Sequence, residues 1–261
     1  MRSFVIAMPS AAIAAMLLAV FGLVCFAARG LVLRRCDEEA REELADQAKS
    51  LLTGVAATFA FFVGFAISIG WGAVSAAQGA VEQQATAIQQ MAWELRNMPD
   101  QSQSRSLLDK LTAYAQTAAD QDPQLLAQGV TIGLPSAAPL EAFETALYSY
   151  TDKQPEDRAT ARMTTALTTL VSSSAAVASV ANRALPQPLA ALLFLVGVLV
   201  SAAMGISTVT YGRRSMIFVG VWCLVPALSL TVVLALAYPF ALRTGLTVAP
   251  LRAVAQHLVP A

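Results

Sequence analysis

The side chains that could do chemistry are few and widely spaced in this sequence. Its three cysteines are Cys25, Cys36 and Cys223, and its single histidine is His257. Their spacing matches neither a metal site nor a disulfide framework. Cys25 and Cys223 lie in apolar runs, and His257, near the C-terminus, is expected to be a surface or interface residue. We therefore expect no metal and no cofactor.

Catalytic motifs are also missing from the sequence. It contains no Gly-x-Ser-x-Gly, no phosphate-binding loop, no His-x-x-x-His and no glycine-rich dinucleotide loop. Glu82 and Glu94 fall on one predicted helix, but their spacing does not let them converge on a site. Both are expected to be solvated. The sequence thus predicts a protein that is not an enzyme.

The arginines of the C-terminal half are the remaining charged candidates, because no acidic residue follows Asp157. They could anchor the chain to anionic lipid headgroups, worth about 1 kcal/mol each near the surface. They could instead attract a small anion into a vestibule. The formal net charge of the whole chain is zero, so no nucleic-acid partner is expected. The candidate contacts to an anion or a headgroup are Arg183, Arg213, Arg214 and Arg243.

The elements that carry these residues are predicted to be membrane helices. The chain is 56% hydrophobic and 13% charged, whereas soluble domains carry about 25% charged residues. Four charge-free stretches are long enough for the roughly 20 apolar residues of a membrane helix. Helices are expected because unpaired backbone groups are costly in lipid. The predicted spans are residues 11–33, 51–78, 189–209 and 215–238.

The first and fourth predicted spans each have one further feature. The first span could be a cleaved signal peptide, but its length favours an uncleaved helix, and Arg29, Arg34 and Arg35 resemble the charges that end a membrane span. Pro226 falls within the fourth span, where a kink is expected.

The predicted fold is therefore an all-α integral membrane protein built from two hairpins around a polar insert. The N-terminal hairpin covers residues 1–80, and the helical extramembrane insert covers residues 81–186. The C-terminal hairpin covers residues 187–240, and residues 241–261 form a C-terminal tail. The connector 34–50 is predicted to be a solvated helix, and the connector 211–214 a tight turn.

The second span combines a row of small residues with a group of aromatic rings. The small residues recur at every fourth position, which predicts a seam where another membrane helix packs closely. Alanine-rich composition alone could also produce such a row. The rings could face lipid, form a second interface, or narrow a pore that gates by dewetting. The seam candidates are Ala56, Ala60, Gly64, Ser68, Gly72 and Ala76, and the pore-neck candidates are Phe61, Phe62 and Phe65.

The stretch from Phe21 to Ala85 resembles the front half of the bacterial bestrophin-like domain proteins, which are four-span membrane proteins. Landmarks of that family follow in order along nearly the whole chain. The chain departs from the family pattern at Gln121-Asp122, Ala190 and Tyr238. The matching landmarks are Leu95 and Pro99, Tyr114-Ala115, Pro123, Gly129, Leu185-Pro186, Pro239-Phe240, Val248 and Pro250.

A further likeness, to the true bestrophin anion channels, rests on the phenylalanines of the second span and the following Trp71. The resemblance implies a homo-oligomer in the lipid bilayer that conducts a small anion. The alternative is a non-conducting membrane scaffold or sensor whose helical insert binds a partner. A calcium clasp is not expected in the C-terminal part, since no acid follows Asp157.

The arrangement in the membrane follows from the basic residues near the span ends. Both connectors are rich in arginine or lysine, including Arg34, Arg35 and Lys49. This predicts cytoplasmic connectors at 34–50 and 211–214, with the insert and both termini outside the inner membrane of a bacterial cell. Arg2, Arg243 and Arg252 favour the opposite orientation, and the resemblance to bestrophins implies an insert on the inside.

Overall fold

In the computed structural model of the chain, the described residues are 8–153, 158–181, 186–212, 216–238, 240 and 246–258. They form helices and connecting loops, with no β-strand among them. The all-α prediction is thereby confirmed. The helices are α1 Ser10–Arg35, α2 Glu38–Arg96, α3 Gln101–Asp120, α4 Asp122–Gln128, α5 Ala137–Thr151, α6 Arg158–Ala181, α7 Gln187–Ser207, α8 Met216–Ala237 and α9 Ala249–Leu258.

The predicted spans coincide with α1, the middle of α2, α7 and α8. Residues 38–50 of the connector and the second span belong to one 59-residue helix, α2, whose first turn is capped by the Asp37 carboxylate accepting from the Ala40 amide at 3.1 Å. The start of the connector departs from the prediction, since Arg34 and Arg35 end α1 and residues 36–37 break the helix. Pro226 lies inside α8. Among the described residues, five helices are long and apolar enough to cross a membrane, and the fifth is α6. The count of four spans therefore stays a prediction.

The chain divides into two compact units. The membrane unit holds the described residues up to 72 and those between 186 and 237. Its first helix buries a single stripe, with successive members three or four residues apart, as one helical face requires. The stripe consists of Ile13, Leu17, Phe21, Cys25, Arg29 and Val32.

Three glycines allow the closest helix contacts of the membrane unit. A Cβ on Gly197 of α7 would lie 3.0 Å from the Phe21 ring, and a Cβ on Gly205 would overlap the backbone carbonyl oxygen of Cys25. A Cβ on Gly70 of α2 would lie 2.7 Å from Cβ of Leu236 in α8. Small side chains at helix crossings let neighbouring backbones approach closely. These glycines therefore mark where α1, α2, α7 and α8 pack.

The insert unit holds the described residues from 73 to 181 and those from 238 onward. Its core combines the C-terminal part of α2 with α3, α5, α6 and α9. The segment predicted as a C-terminal tail contains α9, which buries Leu251, Val254 and Leu258 in this core. Sequence alone had left this segment without structure, although these residues have the spacing of one helical face.

Polar groups inside the insert unit are paired. The Gln84 amide donates to the hydroxyl of the fully buried Tyr114 at 2.7 Å. Burial raises the pKa of the Tyr114 hydroxyl. Glu94 is buried and forms a 3.1 Å ion pair with Arg162. The prediction that Glu94 is solvated is therefore wrong, because its helix face packs against α6, whereas Glu82 is exposed as predicted.

The start of α4 is held by a buried carboxylate. Asp122 accepts from the amide of Ser136 at 3.2 Å and from the hydroxyl of the same residue. These bonds fasten the loop that leaves α4 at Gly129, whose φ of 89° is left-handed and suits glycine. The departure from the family pattern at position 122 thus has a structural role in this chain.

Asp122 also makes stability depend on pH. Burial raises the pKa of its carboxyl despite the hydrogen bonds from Ser136. A raised carboxyl pKa contributes stability that is fully present below the unfolded pKa of about 3.9 and is lost as pH rises through the folded value. We expect the melting temperature of Asp122→Asn, relative to the parent, to rise between about pH 4 and neutrality. Thermal unfolding of both proteins in one detergent across this pH range measures the difference between their melting temperatures. A difference that does not change with pH would contradict a raised pKa for the Asp122 carboxyl.

Candidate pore-lining face

The membrane part of α2 has one buried face. Phe59, Val63, Ala66 and Gly70 are buried, and they recur at the spacing of one side of a helix. Gly70 meets α8, and the Phe59 ring lies 3.6 Å from where a Cβ on Gly197 of α7 would stand. This face packs α2 onto its neighbours in the same chain.

The aromatic residues of α2 point mostly away from that packing. The side chain of Phe61 is 69% exposed and that of Phe65 is 53% exposed. Phe62 is half-buried, and its ring meets that of Phe61 edge to face with centroids 5.7 Å apart. Trp71 is also exposed. Two of the three pore-neck candidates therefore lie on the free face of the helix, and Phe62 lies at its margin.

The small residues of the row share this free face. Ala60, Gly64, Ser68 and Gly72 are exposed, while Ala56 and Ala76 are half-buried. A Cβ added at Gly64 or Gly72 would meet nothing within 4 Å. The row therefore makes no close helix contact inside the chain at these glycines. A seam formed by the row remains a prediction, and its partner would be a helix of another copy.

Sequence reasoning did not find the role of Arg29. The sequence predicts that it is one of the charges that end the first span, yet the side chain is buried on α1. Its guanidinium donates to the backbone carbonyl of Thr208, at the end of α7, and to that of Tyr211 at 2.9 Å. A cation at a helix C-terminus also interacts favourably with the helix dipole. Arg29, on the neighbouring helix α1, therefore donates hydrogen bonds to backbone carbonyls at and just beyond the C-terminal end of α7.

The two connectors meet at this end of the membrane unit. The Lys49 ammonium lies 5.7 Å from the centroid of the Tyr211 ring, and Tyr211 also accepts from Arg29. The connectors 34–50 and 211–212 therefore lie on the same side of the unit. Their assignment to the cytoplasm stays a prediction.

Other predicted site residues fall elsewhere. Arg183, Arg213, Arg214 and Arg243 lie outside the described residues. His257 is exposed on α9, and its backbone carbonyl accepts from Arg96 at 3.2 Å. Across the part of the chain that the structure describes, no three His, Cys, Asp or Glu side chains cluster as metal ligands would.

Comparison with known proteins identifies the family. The protein-family model of the bestrophin-like domain matches residues 11–249 of the sequence. The chain belongs to the bestrophin-like family. The resemblance drawn from the sequence is thereby confirmed, and with the apolar helices it makes the chain a membrane protein.

Solved structures share the bestrophin-like fold. A bacterial bestrophin homologue from Klebsiella pneumoniae, a tryptophan-to-alanine variant, has a TM-score of 0.73 and 14% identity, covering 96% of this chain and 97% of its own. The structure of a homologue from the same organism solved by Zn-SAD phasing has a TM-score of 0.67 and 15% identity, with 93% and 94% covered. At such identities the likeness shows the fold alone. Among curated proteins, none matches the chain.

Proposed function

We propose that this bestrophin-like protein is a subunit of a homo-oligomeric channel for small anions, with the free face of α2 lining its narrow part. The observation that carries the proposal is the exposure of Phe61 and Phe65 on a membrane helix whose opposite face is already packed. Rings gathered around an axis form an apolar constriction that gates by losing its water. The phenylalanine-rich second span is also the feature that resembles the bestrophin anion channels.

The oligomer would bring copies of this face close together. Between the rings, Gly64, Ser68 and Gly72 leave the helix backbone bare, so a helix of a second copy can approach closely. The free face thus presents ring side chains and small residues together to the other copies of the chain. The cations outside the described residues, Arg183 and Arg243 among them, are proposed to draw anions toward the path.

Substitution within the small row tests the assembly. We expect Gly64→Leu to shift the purified protein from the oligomer to smaller species, because its side chain would prevent close approach. Gly54→Leu is the matched control, since Gly54 is also exposed on α2, outside the row, with nothing within 4 Å of an added Cβ. Mass determination in detergent measures the outcome. An oligomer unchanged by Gly64→Leu would rule out this seam.

Substitution of the rings tests conduction. We expect Phe61→Ala and Phe65→Ala to raise anion flux through proteoliposomes several-fold, because removing a ring widens the constriction and helps it stay wet. Phe26→Ala is the matched control, since Phe26 is a half-exposed ring on α1. Equal effects of all the variants would contradict a pore neck on α2. Absence of flux from a folded oligomer of the parent would contradict conduction.

A second candidate function is a non-conducting scaffold or sensor. A groove of about 540 Å³ between α2 and α6 in the insert unit favours it. Its lining carries side chains that could hydrogen-bond a partner, among them Glu82, Gln83, Gln90, Thr169 and Ser172. A well-folded oligomer without flux would direct attention to this groove.

A further inference from the structure

The charge of Arg29 has no acidic partner inside the membrane unit. Its side chain is only 8% exposed, and among the described residues no carboxylate forms an ion pair with it. A guanidinium has five N–H donors, and the bonds to Thr208 and Tyr211 use two of them. Its Nε is buried and has no hydrogen-bond partner in the described part of the chain. A buried cation with unused donors therefore lies at the end of a membrane helix.

The dipole of α7 offsets only part of the Arg29 charge. The C-terminal end of a helix carries the equivalent of about half a negative charge, so a positive remainder stays at the guanidinium. Charged side chains within membrane segments are costly, are almost always paired, and mark ligand sites when the chain supplies no partner. We therefore expect an anion from outside the chain to bind beside Arg29.

Arg41 repeats this arrangement at the end of α1. Its guanidinium donates to the Leu33 carbonyl at 2.8 Å, and its Nε is also buried without a hydrogen-bond partner among the described residues. The exposed Arg34 and Arg35 occupy the last turn of α1. None of these three arginines forms an ion pair with a described carboxylate. The end of the membrane unit where the two connectors meet, here called the connector end, is thus rich in unpaired arginines.

The acidic residues of the connector lie mostly on the outer side of α2. Arg41, Ala45 and Ala48 have the spacing of one helical face, and both alanines are buried. Exposed acidic residues occupy the opposite side of the same turns, and one of them, Asp46, pairs with Lys49 at 2.8 Å. The acidic residues of this side are Glu39, Glu42, Glu43 and Asp46. They face water and leave the buried arginines without a counter-charge.

The surroundings of Arg29 favour a lipid as the source of the anion. Tyr211, whose carbonyl accepts from Arg29, has an exposed side chain of the kind that is enriched at the headgroup level of a bilayer. The Lys49 ammonium lies 5.7 Å from the centroid of its ring. On α1, Phe26 and Leu31 are exposed apolar residues close to Arg29 in the sequence. A free anion would use the cations alone, whereas a phospholipid also covers the apolar surface with its acyl chains.

We propose that the connector end of the membrane unit binds the phosphate of an anionic phospholipid, with Arg29 as the main donor. The phosphate oxygens accept from the N–H groups of Arg29 that the two carbonyls leave unused, and the fork of the guanidinium suits a phosphate. Arg41 and Lys49 add positive charge at the same end. The acyl chains lie along the exposed apolar side of α1. This site does not depend on whether the protein conducts.

The test measures lipid binding to the full-length protein in detergent by native mass spectrometry. We expect the parent to retain dioleoylphosphatidylglycerol several-fold more than dioleoylphosphatidylcholine, which has a phosphate but no net charge. Arg29→Met and Lys49→Gln are each expected to weaken binding of the anionic lipid about fivefold, the usual contribution of one cation near anionic lipid. Lys49→Gln alters an exposed side chain, so it can be read even if Arg29→Met does not fold. Lys110→Gln, in the insert unit, is the control and is expected to bind like the parent.

Three outcomes would overturn the proposal. One is equal binding of the anionic lipid by the parent, Arg29→Met and Lys49→Gln. A second is equal retention of the two lipids by the parent. Inorganic phosphate is the competing probe, and the third outcome is its displacement of the lipid at millimolar concentration, which would make this a site for free phosphate. A lipid that stays bound in the presence of phosphate supports the proposal.

Discussion

Gly205→Ala is expected to lower the melting temperature of the protein by roughly 6–12 °C, corresponding to a loss of about 3 kcal/mol in the free energy of unfolding. The added Cβ would overlap the backbone carbonyl oxygen of Cys25. A backbone atom inside a packed helix pair cannot rotate away as a side chain can. Either α1 or α7 must therefore shift, and the stripe that α1 buries would lose contacts along several turns.

Gly22→Ala is the matched control for that experiment. Gly22 lies on α1, and an added Cβ there meets nothing within 4 Å. Alanine favours a helix interior over glycine by roughly 0.5–1 kcal/mol, so this variant is expected to melt at the same temperature or slightly higher. Thermal unfolding of the three proteins in one detergent measures both effects. Equal melting temperatures for the two variants would show that α1 and α7 are not in close contact at Gly205.

Arg29→Met is expected to cost about 2 kcal/mol of unfolding free energy, because the Tyr211 carbonyl loses its arginine donor and the Thr208 carbonyl keeps only the Tyr211 amide. The affected acceptors are the backbone oxygens of Thr208 and Tyr211. Methionine keeps much of the length and apolar volume of the arginine stem, so the loss reports the hydrogen bonds and the charge at the helix end.

The control for Arg29→Met is Arg34→Met, which removes an exposed arginine from the last turn of the same helix. Arg29→Lys keeps the charge without the forked donors and is expected to fall between the two. Chemical unfolding in detergent, with all four proteins compared, ranks them. If Arg29→Met and Arg34→Met cost the same, Arg29 does not close the end of α7.

Helix content was predictable from the sequence because charge and hydropathy alone mark where helices enter and leave lipid. The connector 34–50, the second span and its extension were each predicted to be helical, and no strong breaker separates them. From Glu38 onward they therefore form the single helix α2, whereas Arg34 and Arg35 belong to the end of α1. The segment containing α9 was missed, although Leu251, Val254 and Leu258 have the spacing of a buried helical face.

The faces of the membrane helices were not predictable in the same way. A membrane helix is apolar all round, so polarity does not separate its packed side from its free side. The row through Gly64 and Gly72 suggested the packed side, yet Gly70 makes the close contact inside the chain. Shape complementarity with α8 decides this, and Leu236 is too distant in sequence to be recognised as the partner. The hydrogen bonds from Arg29 to Thr208 and Tyr211 could not be predicted for the same reason, because these residues are far from Arg29 in the sequence.

The central claim, that Phe61 lines a water-filled path, is tested most directly by charge introduced at that position. The protein would carry Phe61→Cys in a Cys36→Ser background, where the remaining native cysteines, Cys25 and Cys223, are buried. A negatively charged methanethiosulfonate reagent would be added during anion flux from proteoliposomes, with Phe26→Cys in the same background as the control. We predict that the reagent modifies position 61 and stops the flux, while Phe26→Cys is unaffected. An unmodified thiol at position 61, or full modification with unchanged flux, would contradict the claim.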